Sequence, residues 1–169
     1  ERLKPFIIES NLEKTMTAPV TAIIAFDIDF HIHLPKLFPH DLDAQNWFNY
    51  SEEVAHTNAF RNSSIQGGYF IVAARMLGLD CGPMSGFDQN GLDKEFFQNT
   101  KIKSHFICNI GYGDSKNMFK RSPRFELDEI CVNFNKVHYV LFQEIRNKFI
   151  QYCSDIICCY YLMILCLHC

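Results

Sequence analysis

With 169 residues, 48% of them apolar, the chain has the material for about one domain with a genuine core. A formal net charge of −3 argues against nucleic acid or an acidic membrane surface as a partner. No stretch reaches the roughly 18 uninterrupted apolar residues of a membrane span, and the scattered Cys81, Cys108 and Cys131 suit the buried, reduced thiols of a cytoplasmic protein.

The opening, "ERLKPFIIES" (1–10), has neither a starting Met nor the apolar region of a signal peptide, so a preceding segment is expected. "APVTAIIAFD" (18–27) is short, rich in β-branched residues and bounded by Pro19 and Asp27. It is predicted to be a buried strand. "HLPKLFPHD" (33–41) carries two prolines, which excludes continuous regular structure. His31 and His33 would share one face of a strand, but two histidines without a third ligand do not make a metal centre. Within residues 44–79, the spacing of Phe60, Ser64, Gly67, Ile71, Ala74 and Gly78 predicts a helix from Thr57 to Leu79. This helix is apolar on most sides and is expected in the middle of the fold. Its small residues Ser63, Ser64, Gly67 and Gly68 would admit a second backbone at close range, from a partner helix or another subunit.

Directly behind it comes "GLDCGPMSGFD" (78–88). One glycine is enough to stop a helix. Gly78, Gly82, Pro83 and Gly86 in succession suggest backbone shaped around something, with amides left to point at it, although a helix cap followed by a tight turn would use the same residues. "GLDKEFFQN" (91–99) is predicted to be a short helix, and "SHFICNIGYGD" (104–114) a second buried strand ending in a Gly-rich turn. Strand, long helix, short helix and strand describe an α+β domain. After Cys131 the character changes. Val137, Leu141, Ile145 and Phe149 suit one face of a helix, and an apolar run from Ile156 to Leu167 follows. Cys153, Cys158, Cys159, Cys166 and Cys169 crowd this end without the paired C-x₂-C spacing of a zinc site.

Four stretches together resemble the nitroreductase superfamily: "NLEKTMTAPVTAIIAFD" (11–27), "AFRNSSIQGGYFIVAARMLGLDCGPMSGFD" (59–88), "CNIGYGD" (108–114) and "RSPR" (121–124). They are most similar to its malonic semialdehyde reductases, or 3-hydroxypropionate dehydrogenases, of pyrimidine degradation. The likeness covers nearly all of residues 1–131. It implies an α+β fold with a mixed sheet around a long central helix, and a homodimer with FMN at the subunit interface. It further implies that Pro83, Met84, Ser85 and Gly86 lay backbone amides against the flavin near N5 and O4, as fixed, uncharged donors. Asn11 and Lys14 match an Asn-x-x-Lys pair that reaches the pyrimidine edge of the flavin, where a cation favours the reduced anionic ring. Arg121 and Arg124 match basic residues that hold the FMN phosphate, a task suited to the guanidinium fork; Lys120 is a weaker candidate. Trp47 and Phe48 fall where the family has mobile elements over the substrate, although their composition equally suits a core. Cys81 has no evident His-base partner, and hydride transfer needs none, so it is expected to pack.

The activity implied is transfer of hydride from NADH or NADPH, by way of FMN, to a small aldehyde such as malonic semialdehyde, giving 3-hydroxypropionate. Two alternatives accompany it: a truncated, non-catalytic relative with weak or no FMN binding, and a flavin reductase acting on nitroaromatics or quinones. The family's opening segment, with its phosphate-binding Arg and a Ser-Ala-Asn-type loop, has no counterpart in the matched residues. Residues 1–131 are therefore expected to form an FMN-binding domain lacking that segment. Residues 132–169 are expected to be a hydrophobic, Cys-rich, aggregation-prone tail without chemistry.

Overall fold

The computed structural model describes residues 1–118, 120–126, Glu129 and the backbone of Met163–His168. They fall into two compact units, Glu1–Gly113 with Tyr160–Cys169, and Asp114–Cys159.

The first unit is built on β1 (Val20–Asp27), which is buried from Thr21 to Phe26. A strand covered on both faces has no need to alternate polar and apolar residues, hence the continuous run "TAIIAF". Ile23 and Ala25 enter one core with Leu3, Ile7, Leu92, Phe97 and Ile107. Phe26 enters another with Ile28, Ala55 and Ala59. On the first side lie α1 (Glu9–Thr17) and α4 (Gln89–Phe96); on the second lies α3 (Glu52–Met76). α1 stops because Ala18 is extended ahead of Pro19. The Pro-broken stretch yields only the single turn α2 (Leu34–Leu37) between the 3₁₀ turns Phe30–His33 and Leu42–Trp47. Asp88 caps α4, its carboxylate accepting from the Gly91 amide at 3.1 Å.

α3 begins earlier than its apolar spacing predicts, at Glu52, and ends in a Schellman turn. Gly78 has φ 82°, its amide donates to Arg75 O at 3.0 Å, and Leu79 N donates to Ala74 O at 3.1 Å. The helix is the long central helix expected, and among the described residues its burial is confined to one stripe. The buried residues are Ala55, Ala59, Ser63, Gly67 and Ala74, a stripe of small side chains at mostly four-residue spacing. Phe106 packs over Gly67 so closely that a Cβ there would lie 2.6 Å from its Cζ. The larger Phe60, Ile65, Tyr69, Val72 and Met76 are exposed within the chain.

The sheet runs β2–β3–β1–β4. Every described pairing is antiparallel, which narrows the mixed sheet expected. β2 (Asp80–Met84) is a strand inside the Gly- and Pro-rich stretch; it pairs with β3 (Ile102–Gly111), Gly82 facing Asn109 and Pro83 facing Cys108. Proline is tolerated because β2 is an edge strand, paired on one side only. β4 (Met163–His168) pairs with β1, Val20 facing His168. Backbone expected in a separate tail thus joins the sheet, and a boundary at 131/132 does not match the division into units. The helix expected over Val137–Phe149 lies outside the described residues. Among the described residues no helix is long and apolar enough to cross a membrane.

Candidate functional site

Asn11 and Lys14 stand three residues apart on α1 and so share a flank of that helix. Pro83 and Met84 end β2, and Ser85 and Gly86 lead on toward α4. The structure brings these two groups together. Asn11 Nδ2 donates to Gly86 O at 3.2 Å, and Ile8 N reaches the same carbonyl at 3.4 Å. Ile7 and Phe87 form a β-bridge beside them. A Cβ on Gly86 would lie 2.5 Å from Asn11 Nδ2 and 2.5 Å from Ile8 Cδ1. With glycine here the turn lies against α1 without displacing the side chains of Asn11 and Ile8. Phe87 N turns back to Ser85 O at 3.1 Å, whereas the amides of Ser85 and Gly86 find no acceptor among the described residues. Ser85 and Pro83 are exposed and Met84 is half-buried, packed against the core that holds Ile107.

The Lys14 side chain is exposed, while its backbone is tied down: Asn109 Nδ2 donates to Lys14 O at 3.0 Å. Asp80, at the start of β2, holds the turn that follows β3, its carboxylate accepting from Gly113 N at 2.8 Å and pairing with Arg75 at the end of α3.

Lys120, Arg121 and Arg124 belong to the second unit and are exposed. Arg124 Nη1 donates to Ser122 O at 3.0 Å and Pro123 O at 3.1 Å. Upstream in that unit, Asp114 caps the turn Ser115–Asn117 by accepting from Lys116 N at 2.9 Å. Trp47, in the first unit, is exposed and sits among aromatic rings, 6.1 Å from Phe38 and 6.4 Å from Phe48. Cys81 Sγ lies 4.0 Å from Ile71 O. The neighbouring Cys108 thiol is pushed up to about 12, first by burial and then by Cys81. Cys108 therefore offers no thiolate near neutral pH.

Sequence reasoning missed His105. The pairing of β1 with β3 shifts so that Ile24 faces Phe106 and Ala25 faces Ser104, leaving His105 as the extra residue of a β-bulge. The bulge turns His105 toward α3 alongside Phe106. Its Nδ1 lies 3.2 Å from Ser63 Oγ, and Ser63 Oγ donates its one proton to Ala25 O at 3.3 Å. Nδ1 is then the donor to Ser63, which assigns the neutral tautomer. The ring lies 4.2 Å from that of Phe60, and His56 stacks on the other flank of Phe60 at 6.3 Å. No hydrophobic period marks such a bulge in the sequence.

Burial holds the His105 pKa below the ordinary 6.5. As pH falls, the unfolded chain binds the proton first, so stability present above about pH 6.5 is lost below it. The melting temperature is expected to fall between about pH 7.5 and 5.5, and less steeply in His105→Asn. Equal slopes for the two proteins in thermal melts across that range would assign the acid loss to other groups.

No family model matches the chain. It is 57% identical over 130 residues to a protein of Burkholderia lata provisionally named an NADH dehydrogenase/NAD(P)H nitroreductase, covering 77% of this chain and 66% of that one. A protein of Cupriavidus pinatubonensis with the same provisional name is 51% identical over 133 residues, covering 78% and 68%. The chain thus spans about two thirds of the length of these curated relatives. Among solved structures, a nitroreductase family protein of Streptococcus pneumoniae superposes with a TM-score of 0.66 at 20% identity, over 78% of this chain and 72% of that one.

Proposed function

Because the chain belongs to the nitroreductase family, we propose that it binds FMN and uses NADH or NADPH to reduce a small aldehyde. The observation that carries this reading is the turn Ser85–Gly86, held against α1 with two amides that find no acceptor among the described residues and Lys14 on the adjoining flank. Uncharged donors beside a cation suit a planar ring that gains negative charge on reduction, so the residues present fit the group. Bound there, FMN would supply hydride transfer. The chain's own part is to hold and tune the ring. The Ser85 and Gly86 amides donate to its edge, Lys14 stabilises charge at the pyrimidine end, and Asn11 keeps the turn in place. For Arg121 and Arg124, which belong to the second unit, the family resemblance implies the phosphate-binding role, a task suited to bidentate hydrogen bonds.

The proposed acceptor is malonic semialdehyde, whose carbonyl takes hydride and a proton to give 3-hydroxypropionate. Nitroaromatics and quinones are the second reading, and the word nitroreductase in the names of the relatives favours the first of these. A homodimer is part of the proposal. The apolar flank of α3 that includes Ile65, Tyr69, Val72 and Met76, exposed within one chain, supports it.

The test is steady-state oxidation of NADH and NADPH by the FMN-loaded chain with malonic semialdehyde, a nitroaromatic and a quinone. The highest kcat/KM is expected with the aldehyde; a clear preference for either other acceptor overturns that choice. Arg121→Ala and Arg124→Ala are expected to weaken FMN binding by roughly 1.5–3 kcal/mol each, the worth of a charged hydrogen bond. Unchanged affinity in fluorescence titrations of both variants would remove them from the phosphate site.

A further inference from the structure

We infer that Asn109 is a positioning residue, whose carboxamide fixes the turn of α1 carrying Lys14 and thereby sets how strongly Lys14 favours the reduced flavin. The inference rests on the flavin reading above. Asn109 lies within β3, between Gly82 of β2 and Thr21 of β1, where a sheet covered on both faces would ordinarily take an apolar side chain. Its amide is committed on both ends. Nδ2 donates to Lys14 O at 3.0 Å and reaches Thr15 Oγ1 at 3.4 Å, while Oδ1 accepts from Thr21 Oγ1 at 2.8 Å. A flipped amide would set oxygen against the Lys14 carbonyl, acceptor against acceptor, so the orientation is decided by its partners. Thr15 is 1% exposed and Thr21 is fully buried, so water is kept from the two hydroxyls, while the half-buried Asn109 reaches Lys14 O at the exposed edge of the sheet.

α1 is thus pinned at two points on one flank. Asn11 holds it to Gly86 O, and one turn later Asn109 holds Lys14 O to the sheet. The Lys14 ammonium starts from a backbone fixed relative to the Ser85 and Gly86 amides. The attraction between an ammonium and an anionic ring changes with their separation, so loosening this turn weakens the preference for the reduced state while leaving every ring-contacting residue in the chain.

The FMN-loaded full chain is titrated for its flavin midpoint potential against a reference dye, as wild type, Asn109→Ala, Thr21→Val, Lys14→Ala and the Asn109→Ala/Lys14→Ala double variant. Thr21→Val keeps the shape but removes the donor to Oδ1, and it serves if Asn109→Ala does not fold. Asn109→Ala and Thr21→Val are each expected to lower the potential by at least half the shift that Lys14→Ala produces. In the Lys14→Ala background, Asn109→Ala is expected to add nothing. A Lys14→Ala shift without an Asn109→Ala shift overturns the inference and leaves the flavin reading standing. So does an Asn109→Ala shift of equal size with and without Lys14. No shift in Lys14→Ala removes Lys14 from the flavin and the inference with it. In the flavin-free chain, hydrogen exchange over the last turn of α1 is expected to quicken about tenfold in Asn109→Ala; unchanged exchange also overturns the inference.

Discussion

Replacing Gly86 with valine lowers FMN affinity about 100-fold and costs the folded chain roughly 1–3 kcal/mol, the usual range for overpacking. A Cβ at this position would collide with Asn11 Nδ2 and Ile8 Cδ1, each 2.5 Å away and each the end of a side chain, so valine displaces the Asn11 carboxamide or pushes the turn off α1. The bond from Asn11 to Gly86 O breaks, and the Ser85 and Gly86 amides leave the place where the proposed flavin would meet them. Two backbone hydrogen bonds at about 1–1.5 kcal/mol each account for the affinity loss, since 100-fold is roughly 2.7 kcal/mol. Gly78→Ala is the control. Gly78 has φ 82° with no atom within 4 Å of an added Cβ, so alanine there costs roughly 1–2 kcal/mol of backbone strain without touching the turn. FMN fluorescence titration and urea unfolding of both variants separate the two effects. Equal loss of FMN in Gly78→Ala would tie binding to global stability instead of to this turn.

Leu92→Ala lowers stability by about 2–5 kcal/mol, the range for removing a buried leucine. Leu92 is fully buried in α4 and packs in the core of Leu3, Ile7, Ile23, Phe97 and Ile107. Against a total of roughly 5–15 kcal/mol this is a large share, and the melting temperature is expected to drop by roughly 4–20 °C. The effect extends to the candidate site. α4 starts at Gln89, immediately after its cap Asp88, and Asp88 N donates to Phe6 O at 2.6 Å. Leu92 therefore anchors one end of the segment that includes Ser85 and Gly86. Thermal unfolding by circular dichroism measures the change; a loss below about 1 kcal/mol would mean that α4 gains little from this core.

Local chemistry that acts within a few residues was legible from the sequence. The β-branched run of β1, the helix stop at Gly78 and the proline-broken stretch after His33 follow from backbone sterics and covered faces. The resemblance picked out Asn11, Lys14 and Pro83–Gly86 as one group, and of these a hydrogen bond joins Asn11 to Gly86. The role of each toward a flavin remains part of the proposal.

Tertiary structure decided what depends on partners far apart along the chain. Gly82 and Pro83 look like loop residues, yet they lie in β2, because β3 supplies pairing along one edge and an edge strand does not need a proline amide. α3 looks apolar on most sides, but its small residues meet the sheet while Ile65, Tyr69, Val72 and Met76 face outward, since only a low ridge lets Phe106 pack across Gly67. Asn109 and Thr21 sit in strands that are otherwise mostly apolar, and nothing nearby in sequence announces their role. Thr21 bonds to Asn109, and the other partners of Asn109 are Lys14 and Thr15, on a helix more than ninety residues before it. A half-buried amide is held in one orientation only where several groups converge on it, and that convergence exists only once β1, β3 and α1 are packed.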